Sequence, residues 1–186
     1  MPLPNDQRAR QRPPPEHGTR FATAIRLLSD PLAVKSVPYR ARATWETRGS
    51  VPDFITFANA MLRECQRRSF PIVVSEAWRD GVRQDDLYRQ GFSKARAGQS
   101  AHNHGMAGDF IHWKRGWDLS GEQWLILGQI GHECARKAKL RINWGGDDVL
   151  RESLWLPLDG KPRTIDGFRW DPAHFELADW KERLGR

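Results

Sequence analysis

Two short stretches concentrate side chains able to bind a metal or move a proton. The first is Ser100-Ala-His102-Asn-His104-Gly105-Met-Ala107-Gly-Asp109-Phe, and the second is Trp170-Asp171-Pro-Ala-His174-Phe-Glu176. Two imidazoles and a carboxylate, from His102, His174 and Asp109, make the set that a catalytic zinc takes: three protein ligands and one open position. One His or one Asp alone would carry little weight, because most histidines serve a core or a surface and most strand aspartates are solvated. The joint pattern is what points to metal chemistry. Gly105 and Ala107 suit it, since backbone turning tightly beside a metal leaves no room for bulk. Cys65 and Cys134 are the two thiols, and neither has a Cys neighbour. That argues against a thiolate site and fits small core residues of a protein made in a reducing compartment.

The combined pattern, S-x-H-x-x-G-x-A-x-D followed downstream by D-x-x-H, resembles the zinc D-alanyl-D-alanine carboxypeptidase family. These are the VanY-like peptidases, which include phage endolysins that cut the L-alanyl-D-glutamate bond. The match falls at Ser100, His102, Gly105, Ala107 and Asp109, then at Asp171 and His174, and the likeness runs from about residue 70 to residue 177. It implies one zinc per chain, bound by His102, Asp109 and His174, with Asp171 as general base. Arg79, in Val74-Ser75-Glu76-Ala77-Trp78-Arg79, resembles the family Arg that contacts substrate or the developing oxyanion; a surface Arg in a turn is the plain alternative. Ser100 is read with Arg79 as substrate-binding. Trp144-Gly145-Gly146-Asp147 resembles a stretch near the endolysin active site, or is a Gly turn beside a core Trp. His104 and His112 are given no role by the pattern.

The implied partner is a bacterial peptidoglycan peptide, acted on by a monomer. Endopeptidase and D-Ala-D-Ala carboxypeptidase share this zinc site. The opening Met-Pro-Leu-Pro-Asn-Asp-Gln has no apolar h-region, so the expectation is a lysin made in the cytoplasm that reaches the wall after release. Two readings come from other classes. His102-Asn103-His104 spells the letters of an HNH nuclease, but the nuclease residues are spread along a ββα unit, and Asp109 and the Asp171–His174 pair would go unused. No specific nucleic-acid partner is expected. A non-catalytic wall-binding module would not need all three ligands and the base.

The elements that must position these groups read as a small α+β domain: a mainly antiparallel sheet flanked by helices around the zinc site, with a flexible N-terminal arm. Residues 1–20 carry five Pro and little apolar content, which marks the arm. Residues 21–49 form a lead-in, starting with a short amphipathic helix or irregular segment, and 50–186 form the catalytic domain. Ser50 is expected to cap a helix with Pro52 in its first turn, and Phe54, Ile55, Ala58, Met61, Leu62 and Cys65 follow at helical spacing. Strands are expected over 70–75, 107–113, 140–144 and 170–177, a helix over 81–90, and loops over 92–104 and 147–167. Ser120 with Gln123 three residues on forms a capping box for a helix to about 139, turning Trp124, Leu127, Ile130 and Cys134 toward a core. A short helix follows the last strand.

The chain has 186 residues, nine Trp and a net charge of +7. That aromatic content is enough to fill a core and excludes a disordered chain. No apolar run approaches the ~18 residues of a membrane span. Residues 1–50 hold nine Lys/Arg against four Asp/Glu, so most of the excess charge is there. Such a charge suits a polyanion, and electrostatic attraction to the anionic cell envelope is the expectation.

Overall fold

Residues 17–146 and 171–185 are described by the computed structural model. The elements run α1 (His17–Leu28), α2 (Pro31–Lys35), α3 (Val37–Ala43), α4 (Pro52–Arg67), β1 (Ile72–Glu76), α5 (Gly81–Arg89), a 3-10 turn (Ala101–His104), β2 (Ala107–His112), α6 (Gly121–Lys137), β3 (Ile142–Trp144), β4 (His174–Leu177) and α7 (Trp180–Arg183). The sheet order is β1-β2-β4-β3, and every neighbouring pair is antiparallel. This is the expected α+β class. The bulk of the arm (residues 1–16) and the loop over 147–167 lie outside the described residues. Helix α1 starts at His17, inside the stretch read as arm.

Alternation along the central strands gives the sheet two unlike faces. Phe110 of β2 and Phe175 of β4 turn to one face, where they meet Phe57 of α4 with ring centroids 5.4 to 6.0 Å apart. All three rings are fully buried, and each contributes about 1.5–3 kcal/mol by leaving water. The intervening Asp109, His174 and Glu176 therefore point to the opposite face. Helix α4 fills the core through Phe54, Phe57, Ala58, Met61, Leu62 and Cys65. Helix α6 adds Trp124, Leu127, Ile130 and Cys134 and carries the expected Ser120–Gln123 capping box.

Several local expectations shift. Val51, not Ser50, is the N-cap of α4, and no side chain caps it. Pro52 forces the residue before it into extended backbone, so the helix begins one residue later. The final strand is only His174–Leu177, because Asp171 to Ala173 form a turn closed by His174 N–H on Asp171 O at 3.0 Å. Residue 170 is outside the described residues. The loop expected over 92–104 ends in the 3-10 turn.

The lead-in segment is built into the same core. Ala24 and Leu28 of α1 are buried, and α1 packs on α6. Helix α3 covers the outer edge of β1: the Tyr39 hydroxyl donates to Ile72 O (3.0 Å) and Arg42 Nη1 to Val74 O (2.9 Å). An edge strand left with free carbonyls would be open to pairing with another chain, and these two side chains close it.

Candidate metal centre

Register brings the site together. Across the sheet Glu76 faces Asp109 and Asp109 faces His174, a row of three cross-strand neighbours from β1, β2 and β4. A β-bulge between Val74 and Glu76 aims Glu76 into this row. His102 enters from the 3-10 turn that leads into β2. Ser100 caps that turn by accepting His102 N–H at 3.3 Å, with Asn103 returning the box. Gly105 ends it with φ +67°, and a Cβ there would fall 1.8 Å from Gly49 O. The close approach is held by Val51 N–H on Gly105 O (3.0 Å). The turn carrying His102 is thus pinned by the segment before α4.

The donor atoms form a nearly regular triangle. His102 Nε2 lies 3.2 Å from His174 Nδ1 and 3.4 Å from Asp109 Oδ1, and His174 Nδ1 lies 3.2 Å from Asp109 Oδ1. Zinc bonds of ~2.0–2.2 Å at tetrahedral angles separate ligand atoms by about 3.3 Å, so this set fits the ion. The far nitrogens are engaged as such ligands require. His102 Nδ1 sits 2.6 Å from Ala77 O, which can only accept, so the proton is on Nδ1 and Nε2 is bare. His174 Nε2 faces Glu176 Oε2 at 3.3 Å, which holds its proton there and turns Nδ1 inward. Among the described residues this trio is the group of His, Cys, Asp and Glu close enough to hold a metal.

Electrostatics support the same reading. Burial lowers the His174 pKa, but hydrogen bonds to Asp109 and Glu176 and the charges of Asp109 and Asp171 outweigh it and push it to about 10. Burial raises Asp109, yet the neighbouring imidazoles hold it far below the usual carboxylate range. The cluster favours positive charge at its centre. A metal and a proton compete for His174 Nδ1, so acid weakens metal binding.

Asp171 sits on the wall of the cleft that contains the trio. The residue as a whole is exposed, yet loss of hydration at its carboxyl raises its pKa, and the charge of Asp109 raises it further; His174, His102 and Arg79 pull the other way. Its place is fixed by backbone: Asp171 N–H donates to Gly145 O (3.2 Å), and Gly145 N–H to His174 O (2.9 Å). A Cβ on Gly145 would lie 2.1 Å from Asp171 O, so this approach needs glycine. Trp144 Nε1 donates to Pro172 O at 2.8 Å. The Trp144–Gly146 stretch is therefore both a turn beside a core Trp and the clamp on Asp171; Asp147 is outside the described residues.

Arg79 is not a surface residue, being 9 % exposed. Glu76 holds it through Nε (2.8 Å) and Nη2, Gln84 Oε1 through Nη1 (3.0 Å), and Asp109 Oδ2 lies 3.7 Å from Nη2. Gln84 is fully buried and also donates to Ser93 Oγ and Ala95 O. Asn103 Nδ2 donates to Arg79 O (2.9 Å), tying the arginine to the His102 turn. Ser100 lines the cleft as well as capping that turn.

Glu76, Gln84, Asn103 and Glu176 are positioning groups that sequence reasoning did not assign. Glu176 was legible as the residue two on from His174, hence on the same strand face. His104 stacks on Trp180 (5.9 Å), whose Nε1 donates to Glu176 Oε1, so it braces the same chain of contacts. His112 lies at the other end of β2, where burial pulls its pKa down to about 4 and its Nδ1 accepts the N–H groups of Lys114 and Arg115. It is a turn cap away from the site.

Gly105→Ala should cost at least about 2 kcal/mol from the left-handed backbone and the clash. That lowers the melting temperature by roughly 4–8 °C and should weaken metal binding by the trio with it. Calorimetry and metal titration check this, and wild-type values in both would show the contact to be slack.

No family model matches the chain. It is 32% identical over 108 residues to the peptidoglycan L-alanyl-D-glutamate endopeptidase CwlK of Bacillus subtilis (strain 168), a match covering 48% of this chain and 61% of the relative. The chain thus spans about three fifths of the length of that curated relative. The crystal structure of the Serratia marcescens L-Ala D-Glu endopeptidase ChiX aligns with a TM-score of 0.54 at 24% identity, over 76% of this chain and 90% of that one. The chain therefore shares the ChiX fold, and its donor triangle stands on the sheet of that fold.

Proposed function

We propose that this protein is a zinc-dependent peptidase of bacterial peptidoglycan that cuts stem peptides at the L-alanyl-D-glutamate bond. The observation that carries the proposal is the donor triangle of His102, Asp109 and His174, with edges of 3.2 to 3.4 Å, set in a cleft of about 660 Å³. The similarity to CwlK, whose name carries that bond, supports the choice of substrate.

When bound, zinc supplies Lewis acidity toward a carbonyl oxygen and makes a water acidic enough to attack near neutral pH. His102, Asp109 and His174 hold it, with Ala77 O and Glu176 fixing the ring tautomers. Asp171 takes a proton from the attacking water and returns it to the leaving amine, work that suits a carboxylate on the cleft wall whose pKa is raised by lost hydration and by Asp109. Arg79, held by Glu76 and Gln84, presents a fixed cation to the negative charge that develops on the carbonyl oxygen. Ser100 contributes to substrate contact at the cleft wall.

Incubating the protein with purified muropeptides and weighing the products tests the bond. Fragments ending in L-alanine are expected, with cleavage lost on chelation and restored by zinc. Release of terminal D-alanine alone would instead assign a carboxypeptidase on the same site.

The setting we propose is a phage-type lysin, made in the cytoplasm and reaching the wall on release. Among the described residues no helix is long and apolar enough to cross a membrane. The charge of +7 supports attraction to an anionic envelope. Residues 1–16 hold three Arg against Asp6 and Glu16, only +1 of that charge, so deleting them should leave cleavage of a soluble muropeptide unchanged and alter lysis of whole walls little even at low salt, where the Debye length exceeds ~10 Å. Lysis slowed several-fold by the deletion would place the attraction in the arm instead.

A further inference from the structure

The cleft has two unlike kinds of lining. Glu76, Arg79, Asp109 and Asp171 bring charge to it, and Leu87, Phe92 and Trp117 bring apolar surface. Phe92 is 75% exposed and Trp117 57%. Among the described residues neither ring has an aromatic or cationic partner. Two large rings left open to water beside a catalytic centre are an unused binding surface.

Both rings stand on anchored turns. Phe92 N–H bonds Leu87 O (2.9 Å), and the next residue, Ser93, receives a hydrogen bond from Gln84, the buried amide that also holds Arg79. Trp117 follows a turn closed by the His112 and Gly116 backbone pair (3.1 and 2.7 Å), at the end of the strand that carries Asp109. The backbone under each ring is thus tied to a different part of the site, which limits the ordering cost when a ligand arrives.

We propose that Phe92 and Trp117 form a subsite for the amino-sugar ring to which a stem peptide is attached. This rests on the peptidase reading above. A pyranose has an apolar C–H face and a polar rim, so it covers an aromatic ring while its hydroxyls stay in water; a half-open aromatic wall suits it better than a closed apolar pocket would. The alanine methyl of a stem peptide is too small to cover two such rings, and the acidic part of the peptide has no use for an aromatic wall. The enzyme then reads its substrate as sugar plus peptide, not as peptide alone.

The test compares kcat/KM for a free stem peptide and for the same peptide carrying N-acetylmuramic acid, with the full chain loaded with zinc. The wild type should prefer the sugar-bearing substrate by about tenfold or more, the scale of one well-used aromatic anchor. In Trp117→Ala and in Phe92→Ala that ratio should fall toward one, with zinc content unchanged. A wild-type ratio near one, or a ratio that survives both substitutions, overturns the subsite. Cleavage of neither substrate would overturn the peptidase reading instead. The subsite is then read by equilibrium binding, where the muramyl peptide must bind the wild type about tenfold more tightly than Trp117→Ala, and equal affinities overturn it.

Discussion

Asp171→Asn should keep its zinc and its fold and lose about 100-fold or more in turnover, the usual scale for a general base. The amide keeps the size of the native side chain and leaves the backbone turn to His174 in place, but it cannot take a proton. The backbone that places residue 171 is independent of its carboxylate, running through Gly145 and the turn to His174. A folded variant is therefore expected, and calorimetry should find its melting temperature close to wild type. The competing role, a carboxylate that merely orients His174, is met in this structure by Glu176 at 3.3 Å from His174 Nε2. That role predicts weakened zinc affinity and activity rescued by excess metal. Turnover measured at saturating zinc separates the two, and near wild-type rates would take Asp171 out of the mechanism.

The second large effect is at Arg79. Arg79→Lys keeps the positive charge but cannot span Glu76 and Gln84 at once, because an ammonium lacks the planar fork. Loss of an oriented cation at a developing oxyanion costs about 10²–10³ in kcat. Lysine is the informative change, since full removal of charge would take away the cation that Glu76 and Asp109 share. Zinc content should hold, as no donor atom is touched. If kcat/KM stays within about threefold of wild type, a change worth under ~1 kcal/mol, Arg79 is a strut for the His102 turn and no more.

How much of this was legible in the sequence depends on what fixes each feature. The three donors were, because zinc chemistry limits residue types and the 3-10 turn and β2 put His102 and Asp109 close together along the chain. Helices α4 and α6 were as well, their apolar residues repeating over four turns. The short helices of the lead-in were harder. The Pro- and Arg-containing stretch 31–49 gave no clear assignment, yet Pro31 and Pro38 each stand in the first turn of a helix behind a capping residue, Asp30 and Ser36. Placement of β4 between β2 and β3 was not legible, since it depends on pairing across long sequence separations. That pairing is what sets His174 beside Asp109 and builds the site row. Gln84 gave no signal: a polar residue in a polar helix, its value comes only from burial against Arg79 and the 93–95 backbone.

The central claim is that His102, Asp109 and His174 hold one zinc per chain, and metal analysis of the purified protein beside His174→Ala tests it most directly. His174 brings one of the two ring nitrogens of the triangle, and it is pinned from outside by Glu176 and from below by β4 pairing. Removing it leaves two donors, too few for tight binding by an ion that takes three protein ligands. The account predicts about one zinc per wild-type chain and little or none in the variant, with the fold retained. Full occupancy in His174→Ala, or a wild type that binds no zinc at all, would contradict it.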